Sequence, residues 1–264
     1  MNVGMTRLVR VGIVLIVAAL VPSLFVLIAG HNPWRVLTTL LLYAFGPQGW
    51  SEVLVHAIPL TLIGLGVAFA LRAGLFNIGA DGQLIAGAVL AVFFAPYFDG
   101  WGIAGLIAFL ILGSIGGAAL GALVGYLRAW FGASEIIVTI MLNYVMVQMI
   151  SYLIRGPMQE TSKFWPQSYL IPDDCILPVI VPGTRLHAGL FVALLMVIVG
   201  AFVQRRTVLG FETSVLGANP GAATYAGFRV KILTVIVMAI SGGLAGLAGA
   251  VEVGGIYQRL QDNM

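Results

Sequence analysis

Residues Trp101–Leu127 read WGIAGLIAFLILGSIGGAALGALVGYL, 27 positions without a charged side chain. About 20 apolar residues in a helix cross the roughly 30 Å of hydrocarbon in a bilayer, so this stretch is long enough to span one and too apolar to face water. Working outward, Val11–Gly30, Val53–Leu71, Gln83–Phe98, Ile136–Ile154, Ala188–Val203 and Ile232–Val251 have the same character, with Gln83–Phe98 and Ala188–Val203 the shortest. The expected fold class is therefore all-α, a polytopic transmembrane helical bundle of about seven spans in one domain over 1–264. Val36–Phe45 is too short to cross unaided and reads as a re-entrant piece or an extension of a neighbour. The runs are continuously apolar and lack the alternation of a β-barrel wall.

Composition agrees. The chain has 264 residues, 60% hydrophobic and 9% charged, with a mean hydropathy of +1.05, which leaves too little polar surface to coat a soluble globule. Arg7 and Arg10 precede the first apolar segment as in a secretion signal, but its length and the lack of a small-residue cleavage site favour a retained anchor. With the N-terminus cytoplasmic, the inner side receives Arg7, Arg10, Arg72, Arg128, Arg205, Arg206, Arg229 and Lys231, and the outer side Arg35, Arg155, Lys163, Arg185 and Arg259. That bias favours N-inside. The net charge of +3 suits an anionic inner leaflet and gives no nucleic-acid signal.

Several chemistries are excluded. The lone Cys175 forms no internal disulfide, and there is no CxxC pattern. His31, His56 and His187 are far apart, each near a membrane boundary, and read as interfacial rather than as a shared metal site. Only Lys163 and Lys231 are lysines and neither follows Gly, so a G-x-x-x-x-G-K-[ST] phosphate loop is excluded. Any ATP-driven process needs an ATPase in another subunit. The hydrolase arrangements HExxH and GxSxG are likewise missing.

Two connecting segments stand apart from the spans. Residues 155–187 carry Pro157, Pro166, Pro172, Pro178 and Pro182 with Asp173 and Asp174, and read as an extracytoplasmic loop. Residues 204–231 read as a cytoplasmic segment holding one short amphipathic helix, with Asn219 as its cap, Pro220 at its first position and Gly227 as its stop. Gly113, Gly117, Gly121 and Gly125 recur on one helical face, as do Gly242, Gly246 and Ala250. Such stripes let helices approach closely in lipid, and we assign them packing and no chemistry.

Polar interruptions mark candidate functional residues. Arg72–Ala88, RAGLFNIGADGQLIAGA, breaks two apolar helices with Asn77, Asp81 and Gln83. Unpaired backbone in hydrocarbon costs several kcal/mol per group, so an irregular segment belongs where protein or water covers it. These side chains either cap the following helix or line a polar route. Glu135, Thr139 and Asn143 fall at spacings of four on an apolar helix and form a stripe facing the bundle. Ser134 and Glu135 also read as a helix-start cap, and Asn143 as an interhelical clamp or a pathway residue.

From Arg72 to its end the chain resembles the permease subunits of bacterial ATP-binding-cassette importers of the simple-sugar and nucleoside class. GLFNIGADGQLIAGA at Gly74–Ala88 looks like the family's FNIGxxGQ signature, and SEIIVTIMLNYV at Ser134–Val145 its E-[IV]-[IV]-x-T-I-M-L-N-Y block. LGANPGAATYAGF at Leu216–Phe228 is similar to its VGxNPxAAxYAGI loop, and SGGLAGLAGAVEVGG at Ser241–Gly255 to the small-residue helix beyond that loop. The resemblance implies a coupling helix that docks in a partner ATPase, carried by Gly217, Asn219, Pro220, Ala223, Tyr225 and Gly227. It further implies a second permease subunit, identical or paralogous, and an extracytoplasmic substrate-binding protein, in the bacterial inner membrane among its lipids. No cofactor is expected in this chain itself, since ATP and Mg belong to the ATPase, and no metal site is expected. The cargo implied is a nucleoside or simple sugar, with branched-chain amino acids carried by a related branch. The chain departs from the pattern at Ser214, where relatives often have a basic residue, and stops at Met264 where the family continues with further spans. Two other readings stay open on the sequence alone: an ion-coupled secondary transporter using Asp81 or Glu135, and a truncated, non-transporting remnant.

Overall fold

The structure, a computed structural model, describes residues 14, 17, 18 and 20–262. It divides into two compact units, Met1–Val53 and Leu54–Met264. In the first unit, the expected span Val11–Gly30 begins outside the described residues, and its stretch 20–28 is helical. Helix α1 comes next at Pro33–Ala44, where Asn32 Oδ1 accepts from the Trp34 amide at 2.9 Å and Pro33 takes the first position. Its 12 residues contain no buried side chain, in line with a segment too short to cross.

Helix α2, Pro47–Arg72, begins in the first unit and runs through the second. After it come α3 (Ala80–Phe94), α4 (Ile103–Phe131), α5 (Glu135–Arg155), α6 (Gly189–Arg206), α7 (Val208–Ala218), α8 (Pro220–Tyr225) and α9 (Val230–Glu252). A π-helical turn, Val253–Tyr257, continues α9. Among the described residues six helical segments are long and apolar enough to cross a membrane: Pro47–Arg72, Ala80–Phe98, Ile103–Phe131, Glu135–Arg155, Gly189–Arg206 and Val230–Tyr257. They coincide with the six spans expected after the first. The protein is a multi-pass, all-α membrane protein.

Backbone contact organises the second unit. A Cβ placed on Gly125 would meet Val235 Cα of α9 at 2.8 Å, and one on Gly121 or Gly117 would overlap the carbonyl oxygen of Met238 or Gly242. Gly87 of α3 is held the same way against Gly246, so α3, α4 and α9 meet through their main chains. The opposite face of α4 presents Ile107, Ile111 and Ile115, each about half exposed, as a lipid-facing stripe. Phe69, Phe109, Ile58 and Leu62 fill the interior around the junction.

The loop after α5 differs from a solvated connection. Its Ile171, Cys175 and Leu177 are buried in the main core, because the segment pairs with the chain beyond α9. The Ser168 amide donates to the Leu260 carbonyl at 3.0 Å, Ile171 to Gln258 at 3.0 Å and Leu177 to Gly254 at 2.8 Å. Burial, with Asp174 and Asp99 nearby, raises the Cys175 thiol to about 11, so it stays a neutral apolar filler. Arg155 and Ser151 of α5 both bond the Asp262 carboxylate, which fixes the other edge of this cap.

His187, expected to be interfacial, is 1% exposed. The bulge of the π-helical turn seats Gly255 on its ring, and Nδ1 accepts from the Gly189 amide at 3.2 Å, which leaves the proton on Nε2. Burial, then the charge of Arg185, lowers its affinity for a proton.

Two outcomes are expected of purified protein in detergent. Gly117→Leu should lower stability by about 1–3 kcal/mol through overpacking, whereas Gly64→Ala, whose added methyl meets nothing within 4 Å, should be neutral in thermal unfolding. His187 holds a proton less readily in the native fold than in the unfolded chain, so the unfolded chain binds more protons on acidification. Its contribution is fully present above the unfolded value near pH 6.5 and is lost as the pH falls below it. Unfolding temperatures measured from pH 8 down to pH 5 should fall less steeply in His187→Phe than in the parent.

Candidate functional site

The site begins where helix stops. α2 ends at Arg72, and Gly74 turns the chain with φ +73°, a conformation that a side chain disfavours. Residues 75–79 then run without regular structure to α3. Their depth is set by a partner: Asn77 Nδ2 donates to Ser241 Oγ at 2.8 Å, and Ser241 lies eleven residues beyond the start of α9. At about 1.5 Å per residue this is roughly 16 Å into the bundle, near half the hydrocarbon thickness. The broken segment therefore dips from one end of the bundle to its middle.

At that depth the polar groups are matched. Asn77 and Gln83 form a reciprocal amide pair, Nδ2 to Oε1 at 2.7 Å and Nε2 to Oδ1 at 3.1 Å, while Asn77 Oδ1 also accepts from the Gly79 amide. Asn143 of α5 reaches across to accept from the Gly82 amide at 2.9 Å and to donate to the Ile78 carbonyl at 3.1 Å. It is the clamp that holds the broken segment to its neighbour. Thr139, fully buried, donates back to the Glu135 carbonyl, and a Cβ on Gly79 would meet its Cβ at 2.9 Å. Glu135 is 5% exposed and pairs with Arg128 at 2.9 Å, joining the end of α4 to the start of α5. Asp81 stands apart, exposed in the first turn of α3.

These placements show which caps form. Asn77 caps the Gly79 amide, but Asp81 makes no cap bond, and neither Ser134 nor Glu135 caps α5 through its side chain. Glu135 instead turns to Arg128, a partner seven residues upstream across a tight Gly132 turn that no helical spacing would suggest.

The segment 204–231 contains two helices rather than one. Thr207 starts α7, accepting from the Gly210 amide at 3.3 Å, and Asn219 both ends α7 and starts α8. The signal for the extra helix is the small Gly210, which packs against the carbonyls of Val203 and Gln204 and lets α7 turn sharply away from α6. In α8, Asn219 Oδ1 accepts from the amides of Gly221 at 2.9 Å and Ala222 at 3.1 Å, Pro220 takes the first position and Gly227 closes the helix at φ +84°. Ala223 is fully buried and Leu216 nearly so, whereas Tyr225 is 97% exposed. The helix is thus anchored on one side and offered on the other.

The broken segment touches the last turn of α7, just ahead of α8. A Cβ on Gly217 would overlap the Arg72 carbonyl, and Gly74 lies beside Gly217. Arg72 donates from Nε to Ser214 Oγ at 2.8 Å and from Nη1 to Gln204 Oε1 at 3.1 Å. Ser214, the departure noted in the sequence, accepts this arginine.

Residues 49–257 match the family described as branched-chain amino acid transport system, permease component. The chain belongs to that family. It is 37% identical over 223 residues to a glucose ABC transporter permease protein of Haloferax volcanii, covering 81% of this chain and 59% of the relative. It is 38% identical over 212 residues to a guanosine ABC transporter permease protein of Bacillus subtilis, covering 79% of this chain and 60% of the relative. A nucleoside ABC transporter permease protein of Lactococcus lactis is 33% identical over 264 residues, covering 96% of this chain and 72% of the relative. The chain thus spans about three fifths of the length of the first two. No solved structure matches it.

Replacing Asn77 by Leu would leave Gln83, Ser241 and the Gly79 amide short of partners, and unsatisfied buried groups cost about 1–3 kcal/mol each. Thermal unfolding should show a large loss for Asn77→Leu and a smaller one for Ser241→Ala, which removes a single bond.

Proposed function

We propose that this chain is the membrane-spanning permease subunit of an ATP-driven importer for a nucleoside or simple sugar. The observation that carries the reading is α8: a helix fixed to the bundle by Asn219, Ala223 and Gly227, with Tyr225 turned outward at the basic end. Family membership and the glucose, guanosine and nucleoside permeases among its relatives support the cargo class.

In this reading the N-terminus is cytoplasmic in the bacterial inner membrane, as the distribution of Arg and Lys favours. α8 then docks on an ATP-binding subunit, which supplies ATP and Mg, and a second permease subunit completes the route fed by a substrate-binding protein outside. The coupling residues are Gly217, Asn219, Pro220, Ala223, Tyr225 and Gly227. Closure of the ATPase pushes α8, and the Gly217–Arg72 contact passes that displacement to the broken segment at Gly74–Gly79. Of the pathway candidates, Asn77, Gln83 and Asn143 bond one another's elements and Thr139 packs against Gly79, so they set the shape of the route when α3 and α5 move. Asp81 is exposed and free to meet water or cargo, and Glu135 anchors the moving pair through Arg128.

Tyr225→Ala provides the test, because a side chain this exposed contributes little to folding. Expressed with its neighbouring ATPase and binding protein, the variant should keep the parent's unfolding temperature while ATPase co-purification and uptake fall about tenfold or more, the loss of one interfacial anchor. Uptake unchanged by deletion of Leu216–Phe228, or driven by an ion gradient without ATP, would overturn the proposal.

A further inference from the structure

A cavity of about 770 Å³ opens at the basic end between the last turn of α4, Arg128–Trp130, and the start of α9, Arg229–Ile232, with Pro220, Thr224 and Phe228 of the α8 region forming its floor. Its charge is one-sided. Arg128 is neutralised by Glu135, and Glu212 lies beside Arg229 in an adjoining hollow. Neither Arg229 nor Lys231 has an ion-pair partner among the described residues. Lys231 Nζ sits 5.6 Å from the centre of the Trp130 ring, which itself stacks on Tyr126 at 5.0 Å.

The position says which anion fits. Ile232 and Ile236 of α9 and Tyr126 and Trp130 of α4 are all substantially exposed, so the cavity's mouth continues into the lipid-facing surface of two long spans at their ends. That is headgroup depth, where aromatic rings and basic side chains meet both acyl chain and phosphate. A soluble anion would use the two cations but leave the apolar rim empty. We infer that the cavity bounded by Trp130, Arg229 and Lys231 is a binding site for an anionic phospholipid, its phosphate between the two cations and its chains along Ile232 and Ile236. The inference rests on the reading above only for the leaflet, which becomes the cytoplasmic one. Such a lipid would floor α8 from behind, tying the coupling helix to the composition of the membrane.

The full-length protein in detergent would be titrated with phosphatidylglycerol or phosphatidylcholine and retained lipid counted by native mass spectrometry. The parent should retain phosphatidylglycerol preferentially. Each cation near an anionic surface is worth about 1 kcal/mol, so Arg229→Gln with Lys231→Gln should lower retention about thirtyfold. Arg205→Gln with Arg206→Gln, the same charge loss outside the cavity, should not. A second readout is independent of those variants: brominated phosphatidylglycerol should quench the parent's fluorescence more than that of Trp130→Phe. Equal retention of the two lipids, or equal quenching, overturns the inference. So does displacement by glycerophosphate at the lipid's own concentration, which would mark a soluble-anion site. Lipid retention unchanged in the cavity variant with weakened ATPase co-purification also overturns it, assigning the cations to a protein partner. Labelling of Ala222→Cys from outside the cell would instead retire the orientation proposed above and leave the lipid result standing.

Discussion

A polar side chain carried to the middle of the bundle must find a partner there, because hydrocarbon offers it none. That constraint explains why two amides, Asn77 and Gln83, face each other, why Ser241 lies opposite, and why Asn143 bridges to two backbone groups at once. Regular helix would have satisfied the backbone by itself. The chain breaks the helix and bonds the Gly79 amide and the Ile78 carbonyl with side chains instead, an arrangement that depends on the relative positions of α3, α5 and α9.

The glycine contacts set those positions. α4 and α9 touch main chain to main chain along Gly117, Gly121 and Gly242, and α3 joins them at Gly87. Contacts without side chains leave few rotamers to reorganise, so this trio behaves as a rigid block. The elements attached less tightly are α7 and α8, which bury Leu216 and Ala223, and α7 is tied to the end of α2 through the Arg72–Ser214 bond. The Gly74–Gly217 contact is where this appendage meets the chain leading into the broken segment.

Much of this is legible in the sequence because lipid simplifies the code. Length of apolar run marks the six spans to within six residues of their ends, and Asn219-Pro220 with Gly227 places α8, since capping chemistry is local. Helical spacing puts Glu135, Thr139 and Asn143 on one face, where the first two are buried and the third bonds the neighbouring segment. Partners distant in sequence are not legible. Nothing local shows that Asn77 meets Ser241 or that Arg72 meets Ser214. The loop after α5 defeats local reading for a related reason. Its prolines and aspartates signal turns, but burial of Ile171, Cys175 and Leu177 depends on the extended tail after α9, which carries no pattern of its own.

His187 shows the same limit and its consequence. An imidazole close to a span end is ordinarily a wet, interfacial group, yet here the π-helical bulge presses Gly255 against the ring. A π bulge inserts one residue into a helix and redirects the chain beyond it. That redirection turns the tail at Gln258, in a left-handed conformation, back across the loop, where it pairs with Ser168 and Ile171. One irregular turn at the end of α9 thus builds the whole cap and buries a histidine beneath it. The two ends of the bundle obey opposite designs: one closed by backbone pairing around a buried imidazole, the other open, basic and carrying the capped helix α8.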